Sequence, residues 1–282
     1  MKIIRSKSDL REVTRGWRTA GETVGVVPTM GALHEGHLSL VSAACERADR
    51  VIVTLFVNPK QFNNPEDLSK YPRTEESDAR KLAPFGVDVL YVPDGAEIYP
   101  DGFATTISVS GVSDGLCGAT RPGHFEGVAT VVAKLLLQTD ADLAFFGEKD
   151  FQQVQVVRRM VEDLDLRCEI VSCPTVREAS GLALSSRNKR LDDAGRQKAS
   201  AIHASLTEAA RTILAGHDVS DVLKNTRDTL LDQGLGPIDY LELRRESDLA
   251  PAEDTRIPAR LFVAIWLGDV RLIDNLSVAH AG

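Results

Sequence analysis

The sequence predicts an α/β protein, with a doubly wound, mainly parallel sheet followed by a smaller α+β domain. Two observations carry this expectation. In the first half, short apolar and β-branched runs alternate with stretches of helical period, the pattern of strands joined by crossover helices. After about Pro174 the order changes to two helical stretches followed by adjacent extended runs.

The elements follow in order. Val24–Val27 is a short apolar run, and Leu38, Val41, Cys45 and Ala48 then recur at helical spacing. VIVTLFV (Val51–Val57) is continuously apolar but for one threonine, as strands buried on both faces are. Glu75–Phe85 reads as a helix and Val87–Val92 as a strand. Glu126–Gln138 is helical with an apolar face, and Leu143–Phe146 is a short strand. Asp150–Leu164 is helical and Arg167–Val171 extended. Beyond the change of pattern come helices over Asp192–Leu214 and Val219–Gln233, then strands over Ile238–Arg244, Arg260–Gly268 and Val270–Asn275. The domain boundary is expected between residues 175 and 176. The pattern contains no internal repeat and no low-complexity segment.

Composition narrows the function. The 282 residues carry a formal net charge of −8, and the pI is about 5.3. A chain this acidic lacks the basic field that general nucleic-acid or membrane-surface binding needs. Any phosphate must be gripped by a local cluster of cations and backbone N–H groups. Cys45, Cys117, Cys168 and Cys173 are scattered, without CxxC or zinc-type spacing, which suggests a reducing compartment. MKIIRSKSDLREV lacks the apolar core of a signal peptide, and no apolar run approaches membrane-spanning length. A soluble cytoplasmic protein is expected.

Ligands of open α/β sheets bind at the carboxyl ends of strands, and several polar segments fall there. MGALHEGH (Met30–His37) follows the first strand. A helix starting near Glu35 leaves its first N–H groups unpaired beside a partial positive charge. Gly31 and Gly36 permit close approach of backbone to a ligand, and His34 and His37, three residues apart, project to one side. Together these form an anion site suited to phosphate; capping or packing histidines are the plainer alternative. FVNPKQF (Phe56–Phe62) follows the second strand, with an Asn58-Pro59 turn and a Gln61 amide that both donates and accepts. A simple strand-to-loop turn explains it equally well.

FFGEKDFQQ (Phe146–Gln153) ends a strand at Gly147 and opens a helix with Glu148, Lys149 and Asp150. A capping turn accounts for the two acids, but a lysine is disfavoured at a helix N-terminus unless it meets an anion. PTVREASGLALSSRN (Pro174–Asn188) places Ser185, Ser186 and Arg187 together at the domain junction, either a phosphate grip on a closing loop or a linker with an incidental SSR. RPGHFEGV (Arg121–Val128) adds Arg121 and His124 before a helix, a weaker signal that a loop and a cap mostly explain. The residues alone leave two classes open: an enzyme acting on a nucleoside triphosphate and a second small polar substrate, or a non-catalytic nucleotide- or anion-binding protein.

Taken in order, MGALHEGH, FVNPKQF, RPGHFEGV, GEKDFQQ and PTVREASGLALSSRN closely resemble the pantothenate synthetase family, the AMP-forming pantoate–β-alanine ligases. The match is strong through about Asn188 and weaker beyond, where GPIDYLELR and VRLIDN also fit. HxGH alone indicates only the nucleotidyltransferase superfamily; the combination is more specific. The resemblance implies a Rossmann-like sheet of the HIGH type over residues 1–175, binding nucleotide and pantoate. It also implies an α+β domain over residues 176–282 that covers the active site. The implied reaction condenses pantoate with β-alanine through pantoyl adenylate, using ATP and Mg2+, in a cytoplasmic homodimer with neither nucleic acid nor membrane as partner.

By the same resemblance His34, His37, Lys149, Ser185, Ser186 and Arg187 hold the triphosphate and the transition state. The ATP site is lined by Met30, Gly31, Ala32, Leu33, His34, Glu35, Gly36 and His37, then by Gly147, Glu148, Lys149 and Asp150, and by Val176, Leu184, Ser185, Ser186 and Arg187. Gln61 and Gln153 hold pantoate, Gln61 also lies near β-alanine, and no resident metal ligand is implied. Asn58, Tyr71, Arg121 and His124 are further neighbours. Two positions depart from the family pattern: Ser180, commonly Asp, and Arg190, where an aromatic residue is common. Neither belongs to the phosphate grips. A simpler HxGH nucleotidylyltransferase or a nucleotide sensor remains the alternative; a class I aminoacyl-tRNA synthetase would want a KMSKS-like segment, which is missing.

Overall fold

The structure, a computed structural model, describes residues 1–63, 65–69 and 71–279. The chain divides by contact into two compact units. One comprises Met1–Val109, Arg121–Glu148 and Val156–Pro174; the other comprises Ser110–Thr120, Lys149–Gln155 and the chain from Thr175 onward.

The first unit is built on a sheet which, among the described residues, has six strands: β1 (Lys2–Ile4), β2 (Val24–Thr29), β3 (Arg50–Leu55), β4 (Val89–Tyr91), β5 (Leu143–Gly147) and β6 (Glu169–Cys173). Their order is β1-β4-β3-β2-β5-β6 and every pairing is parallel. The order reverses between β2 and β5, which pair through Gly25–Leu143 and Val26–Ala144. That reversal is the switch point at which open α/β sheets bind ligands.

In β2, β3, β4 and β5 no exposed face alternates with a buried one, because both faces are covered. Val27, Val53, Leu90 and Phe145 are fully buried, packed with Leu38, Val41 and Ala44 of the helix Glu35–Arg47. Each such side chain contributes roughly 1.5–3 kcal/mol through burial. At the amino ends of the strands the polar groups are structural. Asp49, Asp142 and Asp88 accept the first N–H groups of Thr23, Val24 and Val51, each at 2.8 Å. Arg18 and Arg50 bridge the surrounding acids.

Among the described residues the second unit holds a three-stranded antiparallel sheet, β7 (Ile238–Arg245), β8 (Ala259–Leu267) and β9 (Val270–Val278), in that order. Helices Ala201–Leu214 and Val219–Asp232 share its core through Ile202, Leu206, Ile213 and Leu230, against Leu243, Leu261, Val263 and Leu272.

Three local differences separate sequence from structure. The opening pair, β1 and the helix Lys7–Thr19, is not apparent in the sequence: an edge strand of three residues shows no period, and the helix carries a narrow stripe capped by Ser6. The expected helix over 192–214 breaks at Ser200, whose hydroxyl donates to the Gln197 carbonyl at 2.6 Å, a local bond that competes with helix continuation. The helix expected from Asp150 begins at Phe151, after a 3-10 turn over Glu148–Asp150.

The helix His124–Thr139 lies against a 3-10 turn, Pro59–Gln61, and a glycine makes this approach possible. A Cβ on Gly127 would meet the Lys60 carbonyl, standing 2.6 Å from its carbon and 2.8 Å from Gln61 N. Backbone cannot yield as a side-chain tip does. Gly127→Ala is therefore expected to destabilise the protein by about 1–3 kcal/mol, read as a lower midpoint in urea unfolding; an unchanged midpoint would show that the turn moves freely.

Candidate functional site

The turn after β2 is the best-defined polar feature of the first unit. Gly31 has φ +85° and Ala32 φ +53°, so the chain reverses through two left-handed residues. For alanine that costs roughly 1–2 kcal/mol. The conformation is held by Asp78, a fully buried carboxylate on the helix Glu75–Leu82. Its oxygens accept from Ala32 N and Leu33 N, both at 2.9 Å, and from the Thr74 hydroxyl at 2.8 Å. Lys81 Nζ donates to the Leu33 carbonyl at 2.6 Å. The four-residue stretch before the helix thus has its backbone fastened from a neighbouring element.

The helix Glu35–Arg47 then starts with His34 as its cap residue. The rings of His34 and His37 are brought together, centroids 4.1 Å apart and planes inclined by 41°, and His34 N lies 3.4 Å from His37 Nδ1. Glu35 is exposed at the first helical position. The two imidazoles and the helix start occupy the carboxyl end of β2, beside the switch point, as expected from the sequence. Gly147 and Glu148 end the neighbouring β5.

Gln61 stands on the turn after β3, and its surroundings explain its place. Asn58 is buried and uses its whole amide: Nδ2 donates to Gln61 Oε1 and to the Gly127 carbonyl, each at 3.0 Å, while Oδ1 accepts from Tyr99 Oη at 2.8 Å. Burial pushes the Tyr99 phenol up to about 12, with the bond to Asn58 opposing it, so this hydroxyl stays a donor. Gln61 Nε2 lies 3.1 Å from Met30 Sδ, which joins this turn to the histidine turn.

Arg121 and His124 serve the same residue. Arg121 Nη2 donates to the Gln61 carbonyl at 3.2 Å, and His124 Nδ1 lies 2.9 Å from the same oxygen. A carbonyl only accepts, so the His124 proton sits on Nδ1 and its Nε2 faces Arg121 Nη1 at 3.2 Å. Tyr71 packs edge-on against Phe62.

The second unit carries the remaining candidates. Lys149 is largely buried, its Nζ 3.9 Å from Asp150 Oδ1. Gln153 is half-buried, with no hydrogen-bond partner among the described residues. Its neighbour Gln152 is spent on structure, accepting from Cys117 N and donating to the Val112 and Gly115 carbonyls. Val176 and Leu184 face each other across a tight hairpin: Leu184 N donates to the Val176 carbonyl at 3.0 Å and Glu178 N to the Leu182 carbonyl at 2.8 Å. Ser180, on the hairpin tip, is exposed. Ser185 Oγ accepts from Arg187 N at 3.2 Å and caps the 3-10 turn Ser186–Arg190. Arg190 pairs at the surface with Asp269.

Residues that hold these segments escaped the sequence reading. Asp78, Thr74 and Lys81 belong to a helix that looks solvated and acidic from sequence. Asp274 and Asn275 lie in the last strand, where Asp274 takes Arg177 of the hairpin in a bidentate pair at 2.7 and 2.9 Å. The one available signal was the polar Asp-Asn pair inside a largely apolar extended run.

An open parallel sheet with a paired-histidine turn at its switch point, followed by a small α+β unit, defines a class of nucleotide-binding α/β proteins. The comparisons place the chain within it. The model of the pantoate-beta-alanine ligase family matches residues 2–277, and the chain belongs to that family. It is 64% identical over 278 residues to the pantothenate synthetase of Chelativorans sp. (strain BNC1), covering 99% of this chain and 98% of the relative. The crystal structure of the pantothenate synthetase of Thermus thermophilus superposes with a TM-score of 0.92 at 43% identity, over 99% of both chains. The pantoate-beta-alanine ligase of Francisella tularensis, complexed with beta-gamma ATP and beta-alanine, gives a TM-score of 0.83 at 37% identity, over 99% of this chain and 98% of that one.

Asp78→Ala would strand the Leu33 N–H, leave Ala32 N with the Thr74 hydroxyl alone, and release a strained turn. A loss of about 2–4 kcal/mol in unfolding free energy is expected, together with faster hydrogen exchange at Ala32 and Leu33. Unchanged protection of those two amides would show that the turn holds itself.

Proposed function

We propose that this protein is an enzyme that condenses pantoate with β-alanine to give pantothenate, using ATP and releasing AMP and pyrophosphate. Its membership of the pantoate-beta-alanine ligase family supports the reading, and so does the chemistry of the paired imidazoles at the carboxyl end of β2. In the first step a pantoate carboxylate oxygen attacks the α-phosphorus of ATP. The new P–O bond forms as the bond to the β-phosphate oxygen breaks, and pyrophosphate leaves. In the second, the free amine of β-alanine attacks the acyl carbonyl. A C–N bond forms, the C–O bond to AMP breaks, and the amine gives up a proton.

Negative charge grows on phosphate oxygens in the first step. Donors fixed in advance lower that barrier without reorganising during the reaction. We assign this role to His34, His37, Lys149, Ser185, Ser186 and Arg187, with His37 as proton donor. The turn Met30–His37 contributes backbone to the ATP site, as do Gly147–Asp150, Val176 and Leu184. Gln61 and Gln153 are assigned to pantoate, Gln61 also to β-alanine. Gln61 has a carbonyl held by Arg121 and His124 and an amide set by Asn58, so its orientation does not depend on the substrate. Magnesium enters as the complex with ATP, held largely by phosphate oxygens and water, as Mg2+ in such sites usually is. We further infer a cytoplasmic homodimer.

Pyrophosphate release tests the reading. It should require pantoate together with Mg–ATP, and AMP and pantothenate should appear only when β-alanine is added. Release without pantoate would favour a simpler nucleotidylyltransferase; tight ATP binding with no release at all would favour a sensor. His37→Ala should keep the fold, judged by circular dichroism, yet lower the adenylation rate by about 10²–10³-fold. Wild-type turnover in that variant would remove His37 from the mechanism.

A further inference from the structure

The second unit contains a buried polar junction to which the reaction assigns no role. Asn275, 3% exposed on β9, donates from Nδ2 to the main-chain carbonyl of Lys149 at 2.9 Å. Its Oδ1 accepts from Arg260 Nη1 at 2.6 Å. Its own carbonyl accepts from Arg177 Nη2 at 3.3 Å, and its N–H bonds to Asp274 Oδ1 at 2.8 Å. Arg260 is clamped in turn. Its guanidinium lies 3.9 Å from the Phe151 ring centroid, and its Nε donates to Glu246 Oε1 at 3.0 Å. Phe151 is two residues from Lys149, and its ring meets Phe262, the residue facing Asn275 across the sheet.

The residue type follows from these contacts. Position 275 must donate to a carbonyl and accept from a guanidinium at once. An amide does both with one planar group, whereas a carboxylate only accepts. The adjacent position needs an anion, because Asp274 takes Arg177 through two oxygens while its side chain is 4% exposed. Arg177 opens the hairpin that leads to Ser185–Arg187, and it also donates to the Gly181 carbonyl at 3.1 Å. One dipeptide therefore fixes the backbone at Lys149 with one side chain and the base of the serine–arginine segment with the other.

We propose that Asn275 is a positioning residue for the adenylation step. Resting on the ATP-dependent reading above, it acts through the Lys149 carbonyl, setting where the Lys149 ammonium stands relative to Ser185, Ser186 and Arg187, and it touches no substrate. A misplacement of an ångström at a reacting group can cost about 10²-fold in rate, and a loosened carbonyl at Lys149 permits a shift of that size.

The test is pantoate-dependent exchange of labelled pyrophosphate into ATP, measured in a double-mutant cycle. Asn275→Asp keeps the acceptor for Arg260 and loses the donor to Lys149; Asn275→Ala loses both and serves where the first variant folds poorly. Either is expected to lower kcat for exchange by about 10–10²-fold, with a smaller change in KM for ATP. In a Lys149→Ala background the same substitutions should have little further effect, because the group they position is gone. Equal factors in the two backgrounds would mean a loss of folded protein or an independent role, and would overturn the proposal. Wild-type exchange rates in both Asn275 variants would also overturn it. Absence of pantoate-dependent exchange in the unmutated protein is a separate result: it would overturn the functional reading, and this proposal with it.

Discussion

The chemistry of the first unit depends on one buried carboxylate. β2 must end, reverse and begin a helix within a few residues, so that both imidazoles of His34-x-x-His37 leave the same turn. That reversal uses two left-handed residues, and only one of them is a glycine. Left alone, the turn would relax toward a commoner conformation. Asp78 prevents this by accepting two consecutive N–H groups and a hydroxyl. Burying a carboxylate is costly unless its oxygens are fully bonded, and here three donors meet two oxygens. A Cβ at Gly31 would come within 3.2 Å of the same carboxylate, so glycine is required for space as well as for φ.

The same device recurs at each segment that carries a candidate group. A main-chain carbonyl or amide is seized by a side chain from another element, at or beside a residue assigned to the chemistry. Lys81 holds the Leu33 carbonyl next to His34. Arg121 and His124 hold the Gln61 carbonyl, and Asn275 holds that of Lys149. Fixing backbone in this way confines the side chain that the held residue or its neighbour carries. That is what a site needs when its donors must be in place before charge develops.

This division also explains what the sequence made legible. The parallel sheet was readable because strands buried on both faces, such as Val51–Leu55, leave continuous β-branched runs. The HxGH turn, the Asn-Pro turn and the SSR segment were readable because glycine, proline and clustered polar residues at strand ends break the local pattern. The supports were not. Asp78 looks like an ordinary acid in the first turn of a helix, where the dipole favours it, and only the fold shows that it faces inward. Arg121 and His124 read as further neighbours of the site, and both are committed to a backbone carbonyl. Asn58 shows the same limit: it reads as a further neighbour of the site, whereas its amide donates to the Gly127 carbonyl, tens of residues away. Long-range pairing of this kind leaves no periodic trace.

The net charge of −8 sits oddly with a site for a polyphosphate until the charges are located. In the first unit many acids lie at the amino ends of the strands. There Asp142, Asp88 and Glu22 are bound to strand N–H groups or to Arg18 and Arg50. The histidine turn lies at the other end of β2. Six residues of strand separate the two ends, roughly 20 Å at 3.3 Å per residue. Over that distance an interaction is several-fold weaker than one made at the turn itself. The distant acids are also largely neutralised by their arginines. At the carboxyl end of β2 the helix start and the two imidazoles stand near Asp78, whose two oxygens are already bonded to the turn. Much of the acid in this unit is thus spent on structure at the amino ends of the strands, while the helix start and both imidazoles stand at the other end of β2.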